Sequence, residues 1–144
     1  MRRLIFCFLI TVHTFVYGSL NYGNLIVDKI LNVYDGDTFR VDIDCDNDVV
    51  CKNIAIRING IDTPELRDKN KEVRKRAIEA RNFLEMFLRN SKTVELRNIN
   101  RGKYFRLVAD VYADGTNIGN LMIKKGYAVS YYGETKPDWK TIIK

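Results

Sequence analysis

Short runs of alternating apolar and polar residues dominate the chain from Leu25 onward, the period-two signature of half-buried strands. Residues 25–34 are rich in β-branched side chains and predict a first strand. Residues 38–44 set Phe39, Val41 and Ile43 on one face with charged groups opposite. Residues 53–59 do the same with Ile54, Ile56 and Ile58, and Arg57 faces away from the isoleucines. The turns of this meander fall at Asp35-Gly36-Asp37 and between Cys45 and Cys51. The period then changes: between about Lys71 and Asn90, Val73, Ala77, Ala80, Leu84, Phe87 and Leu88 form the single apolar stripe of an amphipathic helix. Its polar side carries Arg74, Lys75 and Arg76, a basic face that suits solvent or nucleic acid. Residues 93–99 and 107–112 read as two more strands, and Asp114-Gly115 as a tight turn. A short helix over residues 117–125 ends at Gly126, a left-handed cap, and residues 127–132 read as a last extended piece. Trp139, Ile142 and Ile143 have helical spacing, enough for a stub. A meander, a helix and further strands predict an α+β fold dominated by a β-barrel. The expected form is a five-stranded barrel of the oligonucleotide/oligosaccharide-binding (OB) type with two to three helices.

The first residues break this pattern. Met1-Arg2-Arg3 precedes an apolar stretch from Leu4 to Val16, and small residues follow at Gly18-Ser19, which predicts a secretory signal peptide over residues 1–18. The stretch is shorter than the ~20 residues of a membrane span; the alternative to cleavage is an uncleaved anchor. A single domain then occupies residues 19–144, secreted or periplasmic, expected as a monomer with no stable membrane association. Cleavage lowers the net charge from +6 to +4 and removes Cys7 and the one histidine, His13. Histidine catalysis and histidine metal ligation are thereby excluded from the mature chain. Its basic balance fits a polyanion partner and also plain solubility. Cys45 and Cys51 remain, flanking a polar turn between two strands, and in an oxidising compartment they are expected to form a disulfide. Closing so short a loop is worth about 2 kcal/mol in the chain-entropy picture.

Without histidine, hydrolytic chemistry falls to carboxylates, arginines and a metal. Asp37 and Asp62 are short carboxylates near strand ends, suited to a hard cation such as calcium, to which the backbone carbonyl of Thr63 adds an oxygen. Asp35 is placed to orient this site from behind. Glu65 has the reach to position or deprotonate a water. Arg57 and Arg106 are permanently charged forks for phosphate oxygens and for charge developing in a phosphoryl transition state. Each element has a plainer reading. Asp-Gly-Asp-Thr is also an ordinary turn into a strand, and Thr63-Pro64-Glu65 is also a helix entry with Thr63 as N-cap.

Taken together and in order, Asp35-Gly36-Asp37-Thr38, Arg57-x-x-Gly60-Ile61-Asp62-Thr63-Pro64-Glu65, Lys103-Tyr104-x-Arg106 and Val111-Tyr112-Ala113-Asp114-Gly115 resemble the staphylococcal (micrococcal) nuclease family. The resemblance covers residues 25–132. It implies the five-stranded OB barrel and calcium-dependent endonucleolytic hydrolysis of DNA and RNA that leaves 3′-phosphate ends. By motif match, Arg57, Glu65 and Arg106 would be catalytic, Asp37, Asp62 and Thr63 would bind Ca2+, and Lys103, Tyr104 and one of Tyr131 or Tyr132 would contact the nucleotide. The family has an acid before the Lys-Tyr pair and a glycine between Tyr and Arg. Here Gly102 and Phe105 stand there, and Phe105 cannot adopt positive φ cheaply. The competing class is a catalytically inactive OB module that binds single strands by stacking and charge. Retention of all five acid and arginine side chains argues for the enzyme.

Overall fold

Five strands close on themselves in the computed structural model, which describes residues 22–45 and 47–143. The expected signal peptide, with Cys7 and His13, lies outside the described residues. Strands β1 (Leu25–Val33), β2 (Thr38–Ile43) and β3 (Ile54–Ile58) form the antiparallel meander. The cysteine segment between β2 and β3, expected as a turn, contains one helical turn, α1 (Asp48–Cys51), capped by the Asn47 side chain. Cys45 and Cys51 form the expected disulfide, their Cα atoms 6.0 Å apart. Strand β4 (Ile61–Asp62) follows β3, and helix α2 (Lys71–Asn90) carries the chain to β5 (Val94–Arg101) and β6 (Leu107–Ala113). Strand β5 pairs with β1, and β6 pairs with β5 and, in parallel, with β3, which shuts the barrel. This is the expected five-stranded, OB-like α+β fold.

Alternation explains what faces inward. Phe39, Val41 and Ile43, then Ile56 and Ile58, then Leu96 and Ile99, then Ala109 and Val111 are all buried. Ile54, at the start of β3, is only half-buried. Strand β1 departs from simple alternation, because two register shifts in its pairing with β2 turn residues out of phase. Helix α2 begins where the Asn70 side chain accepts from the Glu72 and Val73 amides. It buries Val73, Ala77, Ala80, Leu84 and Leu88, and Leu84 and Leu88 enter the barrel core.

The tight turn is found at Asp114 and Gly115, with φ of 47° and 79°, the double positive φ of a primed hairpin turn into β7 (Thr116–Asn117). Helix α3 (Ile118–Lys124) ends at Gly126 (φ 71°), where the Tyr127 amide donates to the Met122 carbonyl. Strand β8 (Val129–Ser130) pairs antiparallel with β4, and α4 (Trp139–Ile142) is a single turn. No helix among the described residues is long and apolar enough to cross a membrane.

Candidate active site

Two short loops and one strand bring the acids together. The Asp35-Gly36-Asp37 turn between β1 and β2 packs onto Thr63 and α2 so closely that a Cβ on Gly36 would lie 2.9 Å from both Ala80 Cβ and Thr63 Cγ2. The absence of a side chain at residue 36 is what seats Asp37 in the barrel wall. The Asp35 carboxylate accepts the Asp37 amide at 3.2 Å, and the Asp37 carbonyl accepts the Ile58 amide of β3. Asp37, Asp62 and Thr63 are all buried, a combination that carboxylates tolerate only when paired or hydrogen-bonded.

Arg57 is the hub. It sits on β3 opposite Thr38 of β2 and Val108 of β6. Its Nη1 donates to Asp37 Oδ2 at 2.5 Å, and its Nη2 donates to the Ile61 carbonyl at 3.1 Å and lies 3.8 Å from Asp62 Oδ1. The Thr38 hydroxyl donates to the other Asp37 oxygen at 2.8 Å. Asp62 Oδ2 accepts the indole N–H of Trp139 at 2.9 Å, a buried contact across 77 residues. The Glu65 carboxylate accepts from the Lys136 ammonium, leaving Glu65 Oε2 without a protein partner among the described residues.

A cavity of about 440 Å³ gathers Asp35, Asp37, Arg57, Asp62, Thr63, Glu65, Lys103, Arg106, Tyr131 and Lys136 on its walls. All the sequence-read acids and arginines therefore share one space. Tyr131 is the tyrosine that lines it, whereas Tyr132 packs its ring over Gly60, near enough that a Cβ there would lie 3.0 Å from the hydroxyl. Tyr104 lies outside the cavity wall and is 92% exposed. Tyr104 and Phe105 both adopt φ of 58° and form the centre of a turn in which the Arg106 amide donates to the Lys103 carbonyl and the Gly102 amide to the Arg106 carbonyl. Phe105 thus does take up positive φ, in a turn type that ordinarily selects glycine or asparagine. The turn returns Arg106 to the cavity, half-buried, with its Nε buried and without a partner among the described residues.

Burial and the neighbouring Asp35 carboxylate push the Asp37 carboxyl up to about 7, against the pull of Arg57 and the Thr38 hydrogen bond. A buried carboxylate crowded by another is relieved by a divalent cation. The donor chemistry of Asp37, Asp62 and the Thr63 carbonyl fits a hard ion such as Ca2+. Among the described residues no three His, Cys, Asp or Glu side chains are grouped to hold a metal, so carbonyl and water oxygens would have to complete the coordination.

Lys136 and Trp139 join the site without a sequence signal that points to it. Trp139 carries only a helical spacing and Lys136 nothing, because both contacts span more than seventy residues.

Comparison with known proteins gives independent findings. The family described as staphylococcal nuclease homologue matches residues 55–142. The chain is 33% identical over 107 residues to an uncharacterized protein of Bacillus anthracis, covering 72% of this chain and 47% of that protein. It is 35% identical over 94 residues to a probable endonuclease of Schizosaccharomyces pombe, covering 60% and 40% respectively. It is 30% identical over 128 residues to a thermonuclease of Staphylococcus hyicus, covering 88% and 70%. The chain thus spans less than half the length of the first two relatives.

Proposed function

The chain belongs to the staphylococcal nuclease family, and from that premise we propose that it is a secreted or periplasmic, monomeric, calcium-dependent endonuclease. Its substrates are DNA and RNA, which it cleaves to 3′-phosphate ends. The observation that carries this reading is the buried, unpaired Nε of Arg106 in a residue that lines the same cavity as Arg57 and Glu65. A buried donor without an acceptor costs about 1–3 kcal/mol, and a phosphate oxygen supplies that acceptor.

Arg57 spends two of its five N–H donors on Asp37 and Ile61, which fixes the guanidinium plane and leaves the others for phosphate. Arg57 and Arg106 together bind the phosphodiester and neutralise the charge that grows as the attacking oxygen adds. Glu65, tethered through one oxygen by Lys136, holds a water through the other and accepts its proton, a contribution of roughly 10²–10⁴-fold for a placed general base. Asp35 holds the Asp37 loop, while Lys103, Tyr104 and Tyr131 flank the nucleotide. Asp37, Asp62 and the Thr63 carbonyl would hold Ca2+, which when bound would supply further charge neutralisation at the phosphate.

Plasmid DNA and RNA incubated with the protein in calcium should be cut, and a chelator should stop the reaction. Products should be extended by a polymerase only after phosphatase treatment. Glu65→Gln should retain nucleic-acid binding and lose most turnover. Binding without cleavage in calcium would leave the inactive OB module as the correct reading.

A further inference from the structure

A polynucleotide does not end at the bond being cut, so its neighbouring nucleotide needs a place on the protein. A second cleft of about 340 Å³ adjoins the cavity, sharing Asp35 and Glu65 with it, and is otherwise lined by Asn32, Val33, Tyr34, Leu66, Arg67 and Arg81. The volume is within the range of small-ligand sites. The charges within it are segregated. Its acids, Asp35 and Glu65, are the two residues shared with the cavity, and its two cations come from elsewhere, Arg67 from the loop before α2 and Arg81 from α2 itself.

Neither arginine is committed to a carboxylate. Arg81 donates only to the neutral Asn82 side chain, at 3.1 and 3.4 Å, and Arg67 has no side-chain partner among the described residues. Among the described residues Arg57, Arg76, Arg89 and Arg97 pair with acids, whereas Arg40 and Arg74 donate only to neutral oxygens. What sets Arg67 and Arg81 apart is that they line one cleft together. Tyr34 contributes the remaining feature. Its backbone is pinned, the amide donating to the Thr38 carbonyl at 2.9 Å, yet the residue is 57% exposed. An exposed aromatic in one cleft with arginines that have no acid partner is the pairing that single-stranded nucleic acid uses, with a base on the ring and phosphate on the guanidinium.

We propose that the Tyr34–Arg67–Arg81 cleft is a subsite for the nucleotide next to the scissile phosphate, with the base stacked on Tyr34 and the adjoining phosphate held by Arg67 and Arg81. The assignment rests on the nuclease reading for the position of the scissile phosphate. It predicts that contacts beyond the cavity add to the affinity for strands long enough to reach this cleft.

The test reads binding and cleavage separately. Fluorescence anisotropy with labelled single-stranded oligodeoxynucleotides of increasing length, in chelator, reports affinity without cleavage. KM and kcat in calcium report the rest. Tyr34→Ala should weaken binding of the longer oligonucleotides by roughly tenfold and raise KM in proportion with little change in kcat, while Tyr34→Phe retains the wild-type values. Arg67→Ala/Arg81→Ala should do the same and flatten the salt dependence of log K by roughly 0.7 for each phosphate left without its cation. Lys124→Ala/Lys125→Ala removes equal charge from the end of α3 and should leave the length dependence unchanged. Affinities unaltered in the Tyr34 and arginine variants, or an equal loss in the lysine pair, would overturn the subsite. Wild-type binding without cleavage, lost in the Tyr34 variant, would instead sink the enzyme reading and keep the subsite.

Discussion

Trp139 is the residue whose importance the linear pattern hides best. Its spacing with Ile142 and Ile143 reads as the buried face of a stub, and it is indeed buried, but its indole N–H also reaches across the fold to Asp62. Trp139→Phe keeps an aromatic ring and removes that donor, leaving a buried carboxylate oxygen unsatisfied. The expected outcome is a loss of about 1–3 kcal/mol in chemical denaturation together with weaker calcium binding by calorimetry; unchanged calcium affinity would reduce the tryptophan to packing. Phe105 offers the opposite case. Its departure from the family's glycine is visible in the sequence, and the structure shows its backbone at a positive φ of 58°, a region that favours glycine. A left-handed conformation costs a non-glycine residue about 1–2 kcal/mol, and the exposed phenyl ring recovers little by burial. Phe105→Gly should therefore raise the denaturation midpoint despite the extra freedom of the unfolded glycine, and an unchanged or lower midpoint would show that the turn is not strained. The compact motifs around Asp37 and Arg57–Glu65 are legible because their residues are neighbours in sequence. Lys136 is not, because nothing local distinguishes it from any other surface lysine.

Among the elements, helix α2 is legible end to end, since twenty residues with one apolar stripe admit few other readings. The main barrel strands are legible to within a residue or two from their alternation. The two-residue strand β4 is not, because so short a ladder has no period to detect; its partner β8 falls inside the extended piece expected over residues 127–132, and the pair exists because barrel closure brings residues 61–62 beside 129–130. The helical turn in the cysteine segment escapes for the same reason. The contact between α2 and the Asp35–Asp37 turn is the joint on which the site depends. Gly36→Ala would press a methyl into Ala80 and Thr63, an overpacking expected to cost about 1–3 kcal/mol and to displace Asp37. Ala80→Gly in the same chain should restore calcium binding while adding its own helix penalty of about 1 kcal/mol. Failure of that second change to recover binding would place the damage at Thr63 instead.

For the molecule as a whole, the buried Asp37 makes metal-free stability depend on pH. Its carboxyl is raised from 3.8 to about 7 in the folded state, so its contribution is fully present below the unfolded value and is lost as pH rises through 7. The stability difference between wild type and Asp37→Asn should therefore move against wild type between about pH 4 and 7 in chelator. Calcium, which binds the ionised form, should oppose that trend; denaturant midpoints measured across this window with and without calcium would check both, and a pH-independent difference would refute it. Barrel closure has a consequence in time. The parallel pairing sets Ile56–Ile58 beside Leu107–Ala109, about fifty residues apart in the chain, and contacts of such separation carry a high loop-closure cost before they give any return. Arg57 lies within that pairing and Arg106 immediately precedes it, so the two guanidiniums meet only when it forms. In refolding, cleavage activity should return with the slowest structural phase and not before. If RNA is a substrate, as the proposed function has it, a nascent chain still lacking the residues of β6 has not yet assembled its phosphate cradle and would leave the messenger from which it is being translated uncut.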